Sequence, residues 1–273
     1  MTAMLRFRRS SAYRTALLVL SVVALCGRQA GAAGPEPIFL RFEVSAGPGL
    51  HVLTLGVTVD EAGEAYSIAA EAETRSLADL FLDLRSRLQV RGIIAAGALL
   101  PGAMRAETHR RGADFYTRID YGANGSVTAE ASPPPASPVT PVTAAQMRGT
   151  VDQLTAYLAL ARTLARRGSC ALALAVFDGR RRYDLNFTDA PAEALPGFAG
   201  TNRVCLMARR RIAGFPADRG ASEKPDQGKL WFARLMPGDL MIPIRMDFDS
   251  EFGTFTADLA ELRGRGVYLR LAE

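Results

Sequence analysis

The stretch CALALAVFDGRRRYDLNF, residues 170–187, carries the pattern that decides the fold. Asp-Gly between two strand-like runs is a strong hairpin signal, because a type I′ turn needs positive φ at both central residues. Asp tolerates that region, and Gly enters it without steric cost. A two-residue loop at Asp178 and Gly179 sets Phe177 against Arg180, Leu174 against Tyr183, Leu172 against Leu185 and Cys170 against Phe187. Side chains alternate along a strand. One face therefore carries Cys170, Leu172, Leu174, Val176, Tyr183, Leu185 and Phe187. The other carries Ala171, Ala173, Ala175, Arg180, Arg182, Asp184 and Asn186. A one-residue slip would mix the two sets. An antiparallel sheet covering a core on one side is expected.

Upstream, the same alternation recurs in Ile38, Leu40, Phe42 and Val44, in Leu53, Leu55, Val57 and Val59, and over Tyr66 to Ala72. Met104 to Arg110 and Ala113 to Tyr121 flank Arg111-Gly112 as a second hairpin. Ser76 has the character of an N-cap, opening a helix through Leu80, Leu84 and Leu88. Thr150 and Gln153 read as a capping box before a second helix that presents Val151, Leu154, Leu158 and Ala161 and ends near Arg166-Arg167-Gly168. Between these halves, SPPPASPVTPV at 132–142 places five prolines in eleven residues. Such a run lacks ladder donors and reads as an extended loop crossing the sheet. Further strands are expected at 203–212, 230–236, 241–248, 254–259 and 267–271, with Pro243 marking an edge or a bulge. The expected fold is mainly β: a curved antiparallel sheet, half-barrel or β-roll like, of about ten or more strands, with two helices. Residues 34–273 are expected to form a single β-rich domain, with the Pro-rich loop inside it.

The first 33 residues read differently. Arg6, Arg8, Arg9 and Arg14 precede the apolar run Ala16 to Cys26, and Ala30-Gly31-Ala32 offers a small-residue cleavage site. This is the three-part pattern of a cleaved signal peptide, and the apolar run is short for a bilayer span. The periplasm is the expected compartment, with no transmembrane segment after cleavage. The chain has 33 basic and 28 acidic residues, but residues 1–33 hold five Arg and no acid, so 28 of each remain. The basic balance thus belongs to the leader, and nucleic-acid binding through a basic surface loses its support.

Of three cysteines, Cys26 lies in the leader, leaving Cys170 and Cys205. In an oxidising compartment an even pair reads as a structural disulfide. It would close a loop of about 35 residues, worth on the order of 3–4 kcal/mol. A redox or metal pair is the alternative, but there is no CxxC.

No chemical constellation stands out. His51 and His109 have no metal-ligand spacing, and the chain lacks a nucleophile elbow, a P-loop and a dinucleotide fingerprint. No cofactor and no metal are expected. Tyr66, Asp120 and Asp184 are the acids an envelope hydrolase of peptidoglycan or glycans would have to draw on. Arg180, Arg182, Arg209 and Arg211 lie on strands near the two cysteines, where they could meet lipid phosphates. The bland alternative is a solvated edge whose charges discourage aggregation.

The segment VFDGRRRYDLNF at 176–187 resembles the signature of an exported proteobacterial family, the domain of unknown function 3108. Its setting does too: Thr150-Val151-Asp152, Cys170, Gly200, Cys205, Ala213-Gly214, Ile242-Pro243-Ile244-Arg245 and Phe252-Gly253. The resemblance implies a secreted, mostly β protein without assigned activity and supplies no catalytic residues. By analogy with periplasmic half-barrels, the expected role is non-enzymatic. The curved sheet would bind a lipid, an acyl chain or a partner lipoprotein in a groove, or serve as a purely structural partner of another envelope protein.

Overall fold

The structure is a computed structural model describing residues 35–271 apart from 48, 76–78, 80–82, 217–225, 239 and 251–252. The leader and Cys26 lie outside the described residues, as do Ser76, Leu80 and Phe252.

Among the described residues, fourteen antiparallel strands make one continuous sheet that does not close. The first half is a meander: β1 (Ile38–Ala46), β2 (Leu50–Ala62), β3 (Ala65–Thr74), β4 (Arg85–Ala95), β5 (Ala98–Arg110), β6 (Ala113–Tyr121) and β7 (Val127–Ser132). Two helices follow, α1 (Ala144–Met147) and α2 (Gln153–Arg167). The second half is again a meander: β8 (Leu172–Phe177), β9 (Arg182–Ala190), β10 (Arg203–Ala213), β11 (Asp226–Ala233), β12 (Ile242–Ser250), β13 (Gly253–Gly264) and β14 (Val267–Arg270). Pairing of β1 with β13 joins the halves, and β14 folds back on β13. Pro243 sits beside a register shift in the β11–β12 pair, the bulge its missing N–H calls for.

The sheet curls far enough that its two ends approach. A Cβ on Gly179, in the β8–β9 turn, would lie 2.1 Å from Thr117 Cγ2 on β6. Val151, held between Ala175 and Phe177 by two backbone hydrogen bonds, lines the free edge of β8. The Pro-rich loop runs on past Val139, and Thr140 exchanges hydrogen bonds with Gly214 and Phe215.

The hairpin faces agree with the alternation: Val176, Tyr183, Leu185, Phe187 and Cys170 are buried. The turn is wider than the sequence predicts. Phe177 pairs with Arg182 and Leu174 with Leu185, so the loop holds four residues, 178–181. The Asp178 carboxylate explains this, accepting N–H groups of both Arg180 (2.9 Å) and Arg181 (2.7 Å) in an Asx turn. Gly179 alone takes positive φ, at 92°. Valine there meets both the left-handed backbone penalty and Thr117. Gly179→Val is expected to cost at least about 2 kcal/mol, and an unchanged melting temperature would contradict the assignment. The 111–112 hairpin, by contrast, is the predicted two-residue turn, with φ of 51° at Arg111 and 72° at Gly112.

The expected helix through Leu84 and Leu88 is not formed at that end: Leu88 lies in β4, facing Ala70 and Ala106. Leu88 and Val90 also alternate, and cross-strand pairing on both sides outweighs the weaker i, i+4 signal. The second helix forms, but its N-cap is Asp152, whose side chain accepts from Thr155 N, in place of Thr150. Val151 cannot be helical while its backbone serves β8. The capping box belongs to α1, between Thr143 and Gln146.

Helix α2 is buried almost all round, which places it inside the curl as the central element of the core. Gly168, with φ of 68°, ends it. Cys170 and Cys205 form a disulfide with Cα atoms 5.6 Å apart, tying the start of β8 to β10 across β9. Cys205→Ser is expected to lower stability by on the order of 3–4 kcal/mol. A denaturant midpoint equal to that of the wild type would overturn this.

Candidate functional site

Between α2 and the concave face of the sheet lies a cavity of about 570 Å³. Its walls follow from alternation. Ile38, Leu40 and Phe42 on β1, Leu55, Val57 and Val59 on β2, and Ile68 and Ala70 on β3 all point inward. Leu230 and Phe232 on β11 and Ile242, Met246 and Phe248 on β12 close the far wall. Leu154, Tyr157, Leu158 and Ala161 of α2 form the roof. Gln153, Ser86 and the Tyr157 phenol are the polar side chains at its surface, and no carboxylate lines it. Leu84, Leu88, Met246 and Phe248 of this lining are only half-buried. Small residues at Ala70 and Ala161, where cores usually carry larger side chains, leave the space open.

An ion triad anchors the C-terminal half of α2. Arg162 pairs with Glu61 Oε1, and Arg265 reaches Glu61 Oε2 at 2.9 Å, with all three side chains at most 15% exposed. At the other end Asp152 is fully buried, bonded to Thr155 N (2.9 Å) and Oγ1 (2.6 Å). Burial pushes its carboxyl up, against the opposing pull of those bonds. Tyr66, also buried, bonds Thr155 Oγ1 at 2.9 Å. Desolvation moves the phenols of Tyr157, to about 12, and of Tyr66 and Tyr121 upward, so all stay neutral donors at physiological pH.

A second concavity, of about 860 Å³, lies on the outer face over β1–β6. Its charges are of both signs and paired: Arg87 with Glu71, Arg85 with Glu73, and Arg41 with Glu43 and Glu261. His109 bonds Asp114 (2.7 Å) and Asp83 (3.1 Å), and these bonds raise its pKa. His51 lies 2.6 Å from Glu43. Self-compensated surface charge of this kind favours no particular ligand. Among the described residues no group of three or more His, Cys, Asp or Glu is arranged to hold a metal ion.

The four predicted arginines are not gathered into one patch. Arg209 and Arg211 stand opposite Leu185 and Tyr183, hence on the inner face, and both bind Asp226, at 2.9 and 2.8 Å. Burial would raise the Asp226 carboxyl, but the bonds from Arg211 and Arg209 outweigh it and hold the group low. Arg182 pairs with Asp184 at 2.7 Å and donates to the Gln146 carbonyl. Arg210, facing Asp184 across the pair, joins it on the outer face. Arg180 stays in the turn. Tyr66, Asp120 and Asp184 do not converge: Tyr66 points inward to Thr155, Asp120 pairs with Arg118, and Asp184 faces outward between its arginines.

No curated protein matches the chain. In fold it is similar to the beta-barrel-like protein of domain of unknown function DUF1849 from Brucella abortus, known from a crystal structure. The match has a TM-score of 0.53 and 13% identity, over 85% of this chain and 99% of that one. The family model for the protein of unknown function DUF3108 matches residues 41–260, which hold β2 to β12, α2, the disulfide and most of the groove's lining. The chain belongs to the DUF3108 family.

Proposed function

We propose that this protein is a non-enzymatic carrier or sensor of an acyl chain, held in the groove between α2 and the curled sheet and acting in the cell envelope after export to the periplasm. The supporting observation is the cavity of about 570 Å³ with an almost wholly apolar lining. That volume falls within the range of small-molecule sites. Each buried methylene contributes roughly 0.8 kcal/mol, so about ten of them offset an association cost of several kcal/mol. The lining holds no pair of carboxylates, which speaks against the glycan-hydrolase alternative. The apolar lining, drawn from β1–β4, β11, β12 and α2, suits a hydrocarbon chain better than a polar metabolite.

The test is native mass spectrometry with lipid extraction of the protein purified from the periplasm. A copurifying species that carries an acyl chain is expected. Absence of any such species, together with failure of cetyl alcohol to bind, would sink the reading.

A further inference from the structure

Between Arg91 and Arg105 thirteen successive residues, GIIAAGALLPGAM, carry no polar side chain, and they build the β4–β5 hairpin. Turns elsewhere in the sheet carry charge, as Glu64 does between β2 and β3 and Arg111 between β5 and β6. The β4–β5 turn itself is Ala96-Gly97, with φ of 49° and 80°. Asn or Asp is the usual residue where Ala96 stands, because its side chain eases the left-handed region. Alanine forgoes that help and leaves the tip apolar.

Strand pairing sets these side chains in a row. Ala62 stands opposite Ala65, Ala65 opposite Ile93, and Ile93 opposite Leu100. All four are exposed, Ile93 by 53% and Leu100 by 48%. With strands about 4.8 Å apart, the row spans about 15 Å. A single exposed leucine is ordinary, whereas a contiguous apolar row marks a contact surface. The hairpin is also held from behind. Leu99 is buried, Ile94 N donates to the Glu64 carbonyl at 2.6 Å, and Arg166 at the end of α2 donates to the Gly97 carbonyl at 3.0 Å. A tip fixed in this way loses little conformational entropy when it is covered.

The rows behind it say what covers it. Arg91 lies on the same face one row back, opposite Ser67 and Ala103, and Arg105 lies one row further, opposite Gln89. Same-face rows are about 7 Å apart, so these arginines follow the apolar row at about 7 and 14 Å. Arg166 and Arg167 stand exposed at the helix end that meets the tip. The carboxylates on Arg91's row are Asp60 and Asp120, and Asp120 is taken by Arg118. Apolar side chains in front and arginines one head-group depth behind complement a bilayer surface, where a protein element sinks about 5–10 Å.

We infer that the β4–β5 hairpin is a membrane-docking element. Its apolar row enters the interface of an anionic phospholipid bilayer, and Arg91 and Arg105 meet the phosphates behind it. None of these residues lines the groove, so docking and chain binding stand or fall separately.

The experiment is cosedimentation of the protein, purified from the periplasm, with vesicles of phosphatidylcholine and phosphatidylglycerol. Binding is expected, and Ile93→Ser combined with Leu100→Ser should weaken it about tenfold or more. Both side chains are exposed, so the melting temperature should hold. Arg91→Gln combined with Arg105→Gln should weaken it about fivefold or more. Leu50→Ser, equally exposed at the opposite end of β2, is the control and should bind as the wild type does. A wild type that ignores the vesicles, or a serine double variant that binds them unchanged, overturns the docking assignment. An arginine double variant that binds unchanged overturns the anionic surface as partner. A wild-type dimer that ignores vesicles and becomes monomeric in the serine variant assigns the row to a second copy instead.

Discussion

Glu61→Ala is expected to destabilise the protein by about 3–5 kcal/mol, the range for breaking a buried ion pair and stranding its partner. The effect is large because two cations depend on one anion. Arg162 and Arg265 converge on the two oxygens of Glu61, and Glu61 itself is only 7% exposed. Removing it leaves two nearly dry guanidiniums at the end of the sheet where α2 docks. A second variant separates charge stranding from lost packing. Replacing the triad as Glu61→Leu, Arg162→Met and Arg265→Met should recover most or all of the loss, since apolar substitutes of similar volume escape the desolvation penalty. Urea denaturation of the two variants checks this. A single mutant within about 0.5 kcal/mol of the wild type would mean that the ion pairs are solvated.

This triad shows where sequence reading stops. Within Asp60-Glu61-Ala62-Gly63, Glu61 looks like an ordinary turn residue, yet its partners lie 101 and 204 residues away. Local patterns reveal local decisions. The alternation of 170–187 assigns faces correctly, and the 111–112 turn and the Pro243 bulge were legible for the same reason, whereas the cysteine pair, 35 residues apart, followed from its even number. The loop width at 178–181 was not legible, because a register change of two residues leaves every side chain on its face. The i, i+4 spacing of Leu84 and Leu88 fits a helix, and the neighbours of Leu88 on β3 and β5 decide for the strand. Of the four candidate arginines, the sequence places all near the cysteines, but the β9–β10 register alone separates Arg209 and Arg211, on the inner face, from Arg182, on the other face. The groove was foreseeable as an apolar concave face. Its walls, drawn from β1–β4, α2, β11 and β12, exist only once β1 pairs with β13.

Ala70→Phe is expected to abolish chain binding without loss of stability. Ala70 points inward from β3, flanked by Val57 on β2 and Leu88 on β4, and all three line the groove. In a close-packed core the added ring would cost about 1–3 kcal/mol through displaced neighbours. Here it enters open volume, gains apolar burial and suits a strand, so the melting temperature should hold or rise. Affinity for cetyl alcohol should fall by more than about tenfold, or 1.4 kcal/mol. The stabilisation of about 2.7 kcal/mol that ligand gives at a hundredfold excess over Kd should vanish with it. Ala69→Phe, one residue away on the outer face between Thr58 and Gln89, is the matched control and should bind as the wild type does. A destabilised Ala70→Phe would show that the space is filled by its own side chains in solution. A stable Ala70→Phe that still binds would place the chain elsewhere on the protein. Only stability kept and binding lost together identify the groove as the site.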